Sequence, residues 1–163
     1  SYLFQFGALF SYLTVIENIA VMLKEYTDLP NDLIEQIAYT NLEIVGLPKN
    51  CANLYPSEIS GGMKKRVALA RSLALEPKIL FLDEPTSGLD PASTQMINEL
   101  IIYLRDVLNI TIVIITHDLE TIKTVLDRFV ILKKDIIFDG NIKEAMNSDN
   151  EFIKDFLTNK KAL

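Results

Sequence analysis

Hydrophobic residues recur at helical spacing over the first half of the chain. The segment Thr14-Val15-Ile16-Glu17 has the spacing of a capping box, in which two polar side chains cap the start of a helix. Later in this half, Gly46 and Pro77 supply stop signals. The pattern predicts three helices: one from Val15 to about Lys24, one that follows Pro30-Asn31-Asp32 and stops at Gly46, and one from about Ser60 to Leu75.

The hydrophobic period changes beyond about residue 76. Short runs rich in β-branched residues, bounded by turns or helices, are typical of buried parallel strands. The pattern predicts a strand–helix–strand unit with strands Ile79–Leu82 and Ile110–Ile115 and a crossover helix from Ala92 to about Leu108. The remaining predicted elements are a hairpin, Phe129–Leu132 with Ile136–Phe138, and short helices around Ile142–Met146 and Glu151–Leu157.

Composition narrows the class of protein. With 163 residues, of which 49% are hydrophobic, the chain suits one globular domain with a sizeable core. Its formal net charge of −6 argues against a nucleic-acid partner, which usually requires a basic face. The one basic triplet, Lys64-Lys65-Arg66, is predicted to be a solvated helix face. Cys51 is the single cysteine, so an internal disulfide is excluded and a reducing compartment is favoured.

An uncharged run near the beginning, residues 2–16, could be mistaken for a membrane span. It is shorter than the roughly 20 apolar residues that a spanning helix requires, and it contains polar Gln5, Ser11 and Thr14. No positively charged segment precedes it, which also argues against a signal peptide. We therefore expect contact with a membrane only through a partner.

The segment from Ser60 to Asp90 carries the most informative chemistry. Two glycines, Gly61 and Gly62, open a helix, where exposed backbone N–H groups and the helix dipole favour an anion such as phosphate. The apolar strand that follows ends in Asp83-Glu84. One carboxylate there suits a magnesium ion and the second suits polarisation of a water molecule. This combination indicates an ATPase.

These residues resemble the ATP-binding subunits of ABC transporters. The segment Ile59-Ser60-Gly61-Gly62-Met63 stands where that family has its Leu-Ser-Gly-Gly-Gln signature, and Met63 departs from the usual glutamine. Asp83-Glu84 resembles the end of the Walker B strand, and Ser87-Gly88-Leu89-Asp90 resembles the D-loop. His117 matches the switch histidine and Gln5 the Q-loop glutamine. Five motifs in the family's order make this resemblance specific.

The resemblance implies a role for each motif. Glu84, His117 and Gln5 would be catalytic, and Asp83 together with Gln5 would bind Mg²⁺. ATP would be bound by the signature and D-loop residues, namely Ser60, Gly61, Gly62, Met63 and Asp90. Simpler interpretations exist for three residues: Asp83 could cap the next turn, Glu84 could be a surface acid, and a lone histidine is more often structural.

The implied fold is α/β, a P-loop NTPase core with a largely parallel sheet plus a helical subdomain. The expected divisions are a helical subdomain over about 14–75, a core over about 76–140 and C-terminal helices over about 141–163. None of the six glycines is followed by lysine, so the phosphate-binding loop Gly-x-x-x-x-Gly-Lys-Ser/Thr (Walker A) is absent. We therefore expect a chain truncated at its N-terminal side and inactive alone. A natural remnant that never binds ATP is the alternative.

Two further segments indicate the kind of transporter. Residues 4–10 and 13–18, with the signature followed by Lys64-Lys65-Arg66, resemble the ATPase subunits of Mla-type phospholipid transporters. Phe6, Leu9 and Phe10 could belong to the core or could line a groove for the permease. This resemblance implies a permease subunit and a second copy of the chain as partners, at the cytoplasmic side of a bacterial inner membrane. The alternatives are an importer of a small polar solute and an ABC ATPase of the DNA-repair type.

Overall fold

The computed structural model describes residues 1–3 and 7–158. The chain forms two compact units, Ser1–Thr116 and His117–Leu163.

Three helices occupy the first part of the first unit, as the pattern predicts. They are α1 (Val15–Tyr26), α2 (Asn31–Ile44) and α3 (Gly61–Leu73), with single 3₁₀ turns at Lys49–Cys51 and Pro56–Glu58 between α2 and α3. The predicted capping box at the start of α1 is present, because the Thr14 N–H donates to Glu17 Oε2 at 2.8 Å and the Glu17 N–H donates to Thr14 Oγ1 at 3.4 Å. The three helices pack against one another.

The first unit also contains a three-stranded parallel sheet. Its strands are β1 (Tyr2–Leu3), β2 (Ile79–Asp83) and β3 (Thr111–Ile115), and the helix α4 (Pro91–Leu108) connects β2 to β3. The strand order is β1-β2-β3, with β2 in the centre. The predicted strand–helix–strand unit is confirmed, since β2 and β3 pair in parallel with Asp83 opposite Ile115.

The two faces of this sheet differ in burial. Leu3, Leu80 and Leu82 are buried on one face, and the core of the unit also contains Ile101 and Leu104 of α4. Residues of alternate positions in a strand point to the opposite face. These are exposed and largely apolar: Tyr2, Ile79, Phe81, Val113 and Ile115. The prediction of buried strands is therefore correct for one face of the sheet and wrong for the other.

The second unit contains the predicted hairpin and two predicted helices, plus one helix that the pattern did not predict. Its elements are α5 (Leu119–Thr124), β4 (Phe129–Leu132), β5 (Ile136–Gly140), α6 (Ile142–Met146) and α7 (Glu151–Thr158). β4 and β5 pair antiparallel. Ile122, Phe129, Ile131, Ala145 and Ile153 form its core. The unpredicted helix α5 is only 6 residues long, too short for a periodic signal.

No helix in residues 1–3 and 7–158 is both long enough and apolar enough to span a bilayer. Cys51 is buried and free, and burial raises the pKa of its thiol.

Candidate nucleotide site

Asp83 is the last residue of the central strand β2 and is half-buried. Its Oδ2 accepts a hydrogen bond of 3.2 Å from the hydroxyl of Tyr2 on the neighbouring strand β1. Desolvation raises the pKa of Tyr2, and the hydrogen bond to Asp83 and the charge of that carboxylate raise it further. The strand β2 thus places the Asp83 carboxylate at the carboxyl end of the sheet, where parallel sheets bind ligands.

Glu84 follows in a left-handed backbone conformation, with φ of 46°. This region is unfavourable for residues other than glycine, so surrounding contacts must hold the residue there. The Glu84 N–H donates to the Ile115 carbonyl at 2.8 Å, and the Glu84 carbonyl accepts from the Ser87 N–H at 3.2 Å. The hydroxyl of Thr116 donates to Glu84 Oε2 at 3.4 Å. The turn after β2 therefore fixes both the backbone and the carboxylate of Glu84.

Lys65 also contacts Glu84, and this corrects a prediction. The triplet Lys64-Lys65-Arg66 was expected to be solvated, yet Lys65 is only 8% exposed. Its Nζ donates to the Glu84 carbonyl oxygen at 3.0 Å. Burial lowers the pKa of Lys65, and the negative charges of Glu84 and Asp83 partly offset that effect. Consecutive residues of a helix point in different directions, so one member of a triplet can be buried while its neighbours reach solvent, and a charge count along the sequence does not reveal which.

The signature segment forms the beginning of α3. Ser60 is the N-cap, and its Oγ accepts a hydrogen bond of 3.2 Å from the Met63 N–H. A Cβ added to Gly61 would lie 3.7 Å from the Leu89 side chain, and one added to Gly62 would lie 3.5 Å from Ser93 Oγ. Both distances are ordinary van der Waals contacts, so the start of α3 lies beside the start of α4 but this packing does not require glycine.

Asp90 caps the start of α4. Its Oδ1 accepts from the Ser93 N–H at 3.0 Å and its Oδ2 accepts from the Ser93 hydroxyl at 2.6 Å. These hydrogen bonds, led by the one from the hydroxyl, lower the pKa of Asp90. Between Glu84 and Asp90, Gly88 adopts φ of 75°, a left-handed conformation that glycine tolerates best. The D-loop is therefore a sharp turn that ends in a capped helix.

Two predicted site residues do not belong to the described part of the first unit. Gln5 lies outside the described residues. His117 is the first residue of the second unit and directly precedes Asp118, the N-cap of α5. Burial opposes ionisation of Asp118, but hydrogen bonds from Thr121 and Glu120 outweigh it and lower the pKa of that carboxyl. Within the first unit, Asp83 and Glu84 lie at the carboxyl end of β2, and the Ser60–Met63 segment lies beside the start of α4, which Asp90 caps.

Sequence reasoning missed the side chains that anchor the segment after Gln5. Arg71 of α3 donates to the Gly7 carbonyl at 2.7 Å and to the Ala8 carbonyl at 2.9 Å, and its guanidinium lies 5.6 Å from the centre of the Phe10 ring. Fully buried Asn18 binds both the N–H and the carbonyl of Phe10. Phe10 itself is 40% exposed, which favours a surface position over the core. These contacts join residues that are not neighbours in the sequence, so no local motif predicts them.

A cavity of about 480 Å³ lies elsewhere in the first unit. Its lining includes Leu73 at the end of α3, Lys78 just before β2 and Ile110 just before β3. These positions are at the amino ends of the strands, opposite the carboxylates. None of the predicted site residues lines this cavity, so chemistry and not cavity size identifies the candidate site.

The profile of the ABC transporter family matches residues 1–87, and the chain belongs to that family. The chain is 40% identical over 156 residues to the intermembrane phospholipid transport system ATP-binding protein MlaF of Haemophilus influenzae, and 38% identical over 158 residues to MlaF of Escherichia coli. It is 37% identical over 160 residues to the "Probable ribonucleotide transport ATP-binding protein mkl" of Mycobacterium leprae. These alignments cover 95%, 96% and 98% of this chain, but 59%, 58% and 46% of the relatives. The chain thus spans about three fifths of the MlaF proteins it matches.

Solved structures agree with the family and with the predicted fold class. The chain resembles cbiO1 from Clostridium perfringens, part of the ABC transporter complex cbiONQ, with a TM-score of 0.81 and 33% identity. It also resembles the dimeric ATP-binding cassette MJ0796 in a post-hydrolysis state bound to ADP and Pi, with a TM-score of 0.74 and 29% identity. The alignments cover 96% and 86% of this chain and 62% of each cassette.

The surroundings of Asp83 are compatible with a magnesium ion. No group of three or more His, Cys, Asp or Glu side chains that could hold a metal ion occurs among the described residues. Mg²⁺ does not require such a cage, because it usually binds through one or two carboxylates together with phosphates and waters. A single half-buried carboxylate at a strand end is therefore adequate, and Asp83 is the residue that would hold the ion.

Proposed function

We propose that this chain forms the catalytic part of an ATP-binding and ATP-hydrolysing subunit that energises an ABC transporter. The observation that carries the proposal is the position of Glu84, which follows Asp83 at the carboxyl end of β2 and accepts a hydrogen bond from Lys65 of the signature helix α3. We use the term complete subunit for this chain together with the part of an ABC cassette that its relatives contain and this chain does not span. The proposal applies to the complete subunit.

Glu84 acts as the general base. The oxygen of a water molecule attacks the γ-phosphorus of ATP, and the bond from that phosphorus to the oxygen shared with the β-phosphate breaks. Glu84 accepts one proton of the water and later releases it to solvent, while ADP and inorganic phosphate leave. The hydrogen bond from Thr116 holds the carboxylate for this step. Asp83 holds Mg²⁺, which when bound neutralises phosphate charge.

Gln5 and His117 complete the catalytic set in this proposal. The amide oxygen of Gln5 can bind a metal ion or the water, and its amide nitrogen can donate to another acceptor. His117 follows β3 closely in the chain, and an imidazole N–H there would donate to the γ-phosphate. Their assignment is supported by the match of each residue to its family motif.

A second copy of the subunit is the proposed partner at the nucleotide. Ser60, Gly61 and Gly62 would close on ATP held by the other copy, with Asp90 at the seam. The exposed N-terminal end of α3 suits this role, because its N–H groups and dipole favour phosphate. The similarity to the dimeric cassette MJ0796 also supports it. Met63 cannot reproduce the hydrogen bonds of a glutamine amide, so the backbone and Ser60 carry the recognition.

The proposed cargo is phospholipid. The support is the similarity to two MlaF proteins, each over at least 95% of this chain. In this proposal the subunit is peripheral, at the cytoplasmic side of a bacterial inner membrane. It contacts the membrane only through the permease. The exposed ring of Phe10 lies on a segment that Arg71 fixes to the signature helix, and it is a suitable surface for the permease.

A second candidate cargo is a ribonucleotide or another small polar solute. The observation in its favour is the 37% identity to the mycobacterial mkl protein, which extends over 98% of this chain. The catalytic residues would act identically in both cases, because the cargo is recognised by the permease and not by this subunit.

The test is a transport assay with the complete subunit and its permease in vesicles. A fluorescent phospholipid and a radiolabelled ribonucleotide are offered in parallel, with ATP or with a non-hydrolysable analogue. We expect ATP-dependent movement of the phospholipid alone. ATP-dependent movement of the ribonucleotide alone would favour the second candidate, and the absence of any ATP hydrolysis would overturn the proposed function itself.

A further inference from the structure

We propose that Lys65 is a positioning residue for Glu84, which it holds in place through the peptide group. This inference rests on the proposed function of Glu84 as the general base. It assigns a specific task to the middle residue of the basic triplet, for which the family motifs provide no role.

The geometry of the Lys65 side chain supports the assignment. Its Nζ lies 3.0 Å from the Glu84 carbonyl oxygen, across 19 residues of sequence. Lys65 lines a small cavity together with apolar Leu69, Leu82 and Pro85. A cationic donor with an apolar stem can lie among such apolar side chains, because only its tip requires a polar partner. The residue thus connects the second turn of α3 to the end of β2.

The backbone of Glu84 needs such a contact. With φ of 46° it occupies a conformation that residues other than glycine rarely adopt. Two backbone hydrogen bonds act on the same residue, one from its N–H to the Ile115 carbonyl at the end of β3 and one to its carbonyl from the Ser87 N–H within the turn. Lys65 adds a side-chain donor from α3 to the same carbonyl. This donor is charged, which strengthens a hydrogen bond to a carbonyl.

A displaced peptide group would move the carboxylate, because the side chain begins on the same residue. A general base must lie within hydrogen-bond reach of the water from which it takes a proton. A misplacement of about 1 Å can reduce turnover by on the order of 10²-fold. Removal of the Lys65 donor should therefore lower kcat while leaving KM for ATP nearly unchanged, because the phosphates are bound by other groups.

The chain offers two matched comparisons. Lys64 precedes Lys65 on the same helix and is half-exposed, so Lys64→Met is the same chemical change without the contact to Glu84. Lys65→Gln and Lys65→Met have side chains of equal length, but only glutamine retains an N–H donor. The first comparison controls for loss of a lysine, and the second controls for packing.

The experiment measures steady-state ATP hydrolysis by the complete subunit with its permease, with thermal unfolding of each variant as a check on folding. We expect kcat of Lys65→Met to fall by about 10- to 100-fold with KM within about threefold of wild type. Lys64→Met should stay within about twofold of wild type, and Lys65→Gln should be at least about fivefold faster than Lys65→Met. A kcat of Lys65→Met within about threefold of wild type would overturn the inference.

A second background separates positioning from a purely structural role. In Glu84→Gln there is no carboxylate to misplace, so adding Lys65→Met should lower the residual turnover by less than about twofold. A structural role would lower turnover by the same factor in both backgrounds and would overturn the inference. If Lys65→Met does not fold, the turnover of Lys65→Gln in the two backgrounds decides by the same criterion.

The two proposals can fail separately. If wild type hydrolyses ATP, Glu84→Gln has lost most of this activity and Lys65→Met has normal turnover, only this inference is wrong. If wild type itself fails to hydrolyse ATP, the proposed function is wrong and the inference with it.

Discussion

The Met63 N–H donates to the Ser60 hydroxyl oxygen at 3.2 Å. This contact makes Ser60 the N-cap of α3 and leaves its own hydroxyl hydrogen available for a further acceptor. The side chain is exposed, as are Gly61 and the beginning of the helix. An anion that approaches from outside therefore meets one hydroxyl and several backbone N–H groups at once.

The first prediction concerns assembly. Ser60→Arg in the complete subunit should abolish ATP-driven dimerisation, because a bulky side chain obstructs the surface offered to the nucleotide of the second copy. ATP binding to the monomer should be nearly unchanged. Light scattering of the Glu84→Gln variant with and without ATP measures the association. Ser57→Arg, at an exposed serine nearby, is the control and should dimerise normally. If Ser60→Arg still dimerises on addition of ATP, the sandwich arrangement is wrong for this protein.

The second prediction concerns the chain of 163 residues by itself. The sequence has no Gly-x-x-x-x-Gly-Lys-Ser/Thr loop, whose lysine and N–H donors cradle the β- and γ-phosphates. We expect negligible ATP hydrolysis and very weak ATP binding, measured by phosphate release and by calorimetry. The complete subunit, assayed alongside, should be active. Robust turnover by the 163-residue chain would show that Asp83 and Glu84 do not depend on that loop.

The third prediction concerns stability. Asn18 is fully buried, and its side chain bonds to Phe10, Leu13 and Thr14. Asn18→Ala leaves several backbone groups without that partner, and we expect it to lower the free energy of unfolding by about 2–4 kcal/mol. Asn31→Ala, at an exposed asparagine, should change it by less than about 0.5 kcal/mol. Chemical denaturation measures both, and equal effects would contradict the importance of the Asn18 contacts.

The fourth prediction concerns pH. Hydrogen bonds from Ser93 lower the pKa of Asp90 in the folded state. A lowered carboxyl pKa contributes stability above the unfolded-state pKa, and that contribution is lost as pH falls through the folded-state value. Between about pH 5 and pH 3, wild type should therefore lose more thermal stability than Asp90→Asn, which has no carboxyl at this position. An identical loss in the two proteins would show that Asp90 does not contribute to the acid sensitivity.

Much of the fold follows from local signals. The capping box at Thr14 and the apolar run before Asp83 predict α1 and β2 to within a few residues, because caps and apolar runs are properties of neighbouring residues. Short elements lack such signals. The strand β1 has 2 residues, and α5 depends on one aspartate cap at Asp118.

The candidate site is recognisable from the sequence where its residues lie in contiguous motifs. Asp83-Glu84 and the glycine pair are recognisable because each requires particular residue types side by side. The contact between Lys65 and Glu84 is different, since it depends on which side of α3 faces the sheet. The positive φ of Glu84 is equally difficult to predict from the sequence. The turn and its tertiary contacts impose this conformation, although glutamate intrinsically prefers a negative φ.

The catalytic role of Glu84 is the central claim, and hydrolysis by Glu84→Gln in the complete subunit tests it most directly. Glutamine keeps the shape and the contact with Thr116 but cannot accept the proton of the attacking water. We predict that turnover falls by on the order of 10²-fold or more, while ATP remains bound between two subunits. Near-normal turnover in Glu84→Gln would contradict the account, because another group would then have to be the base.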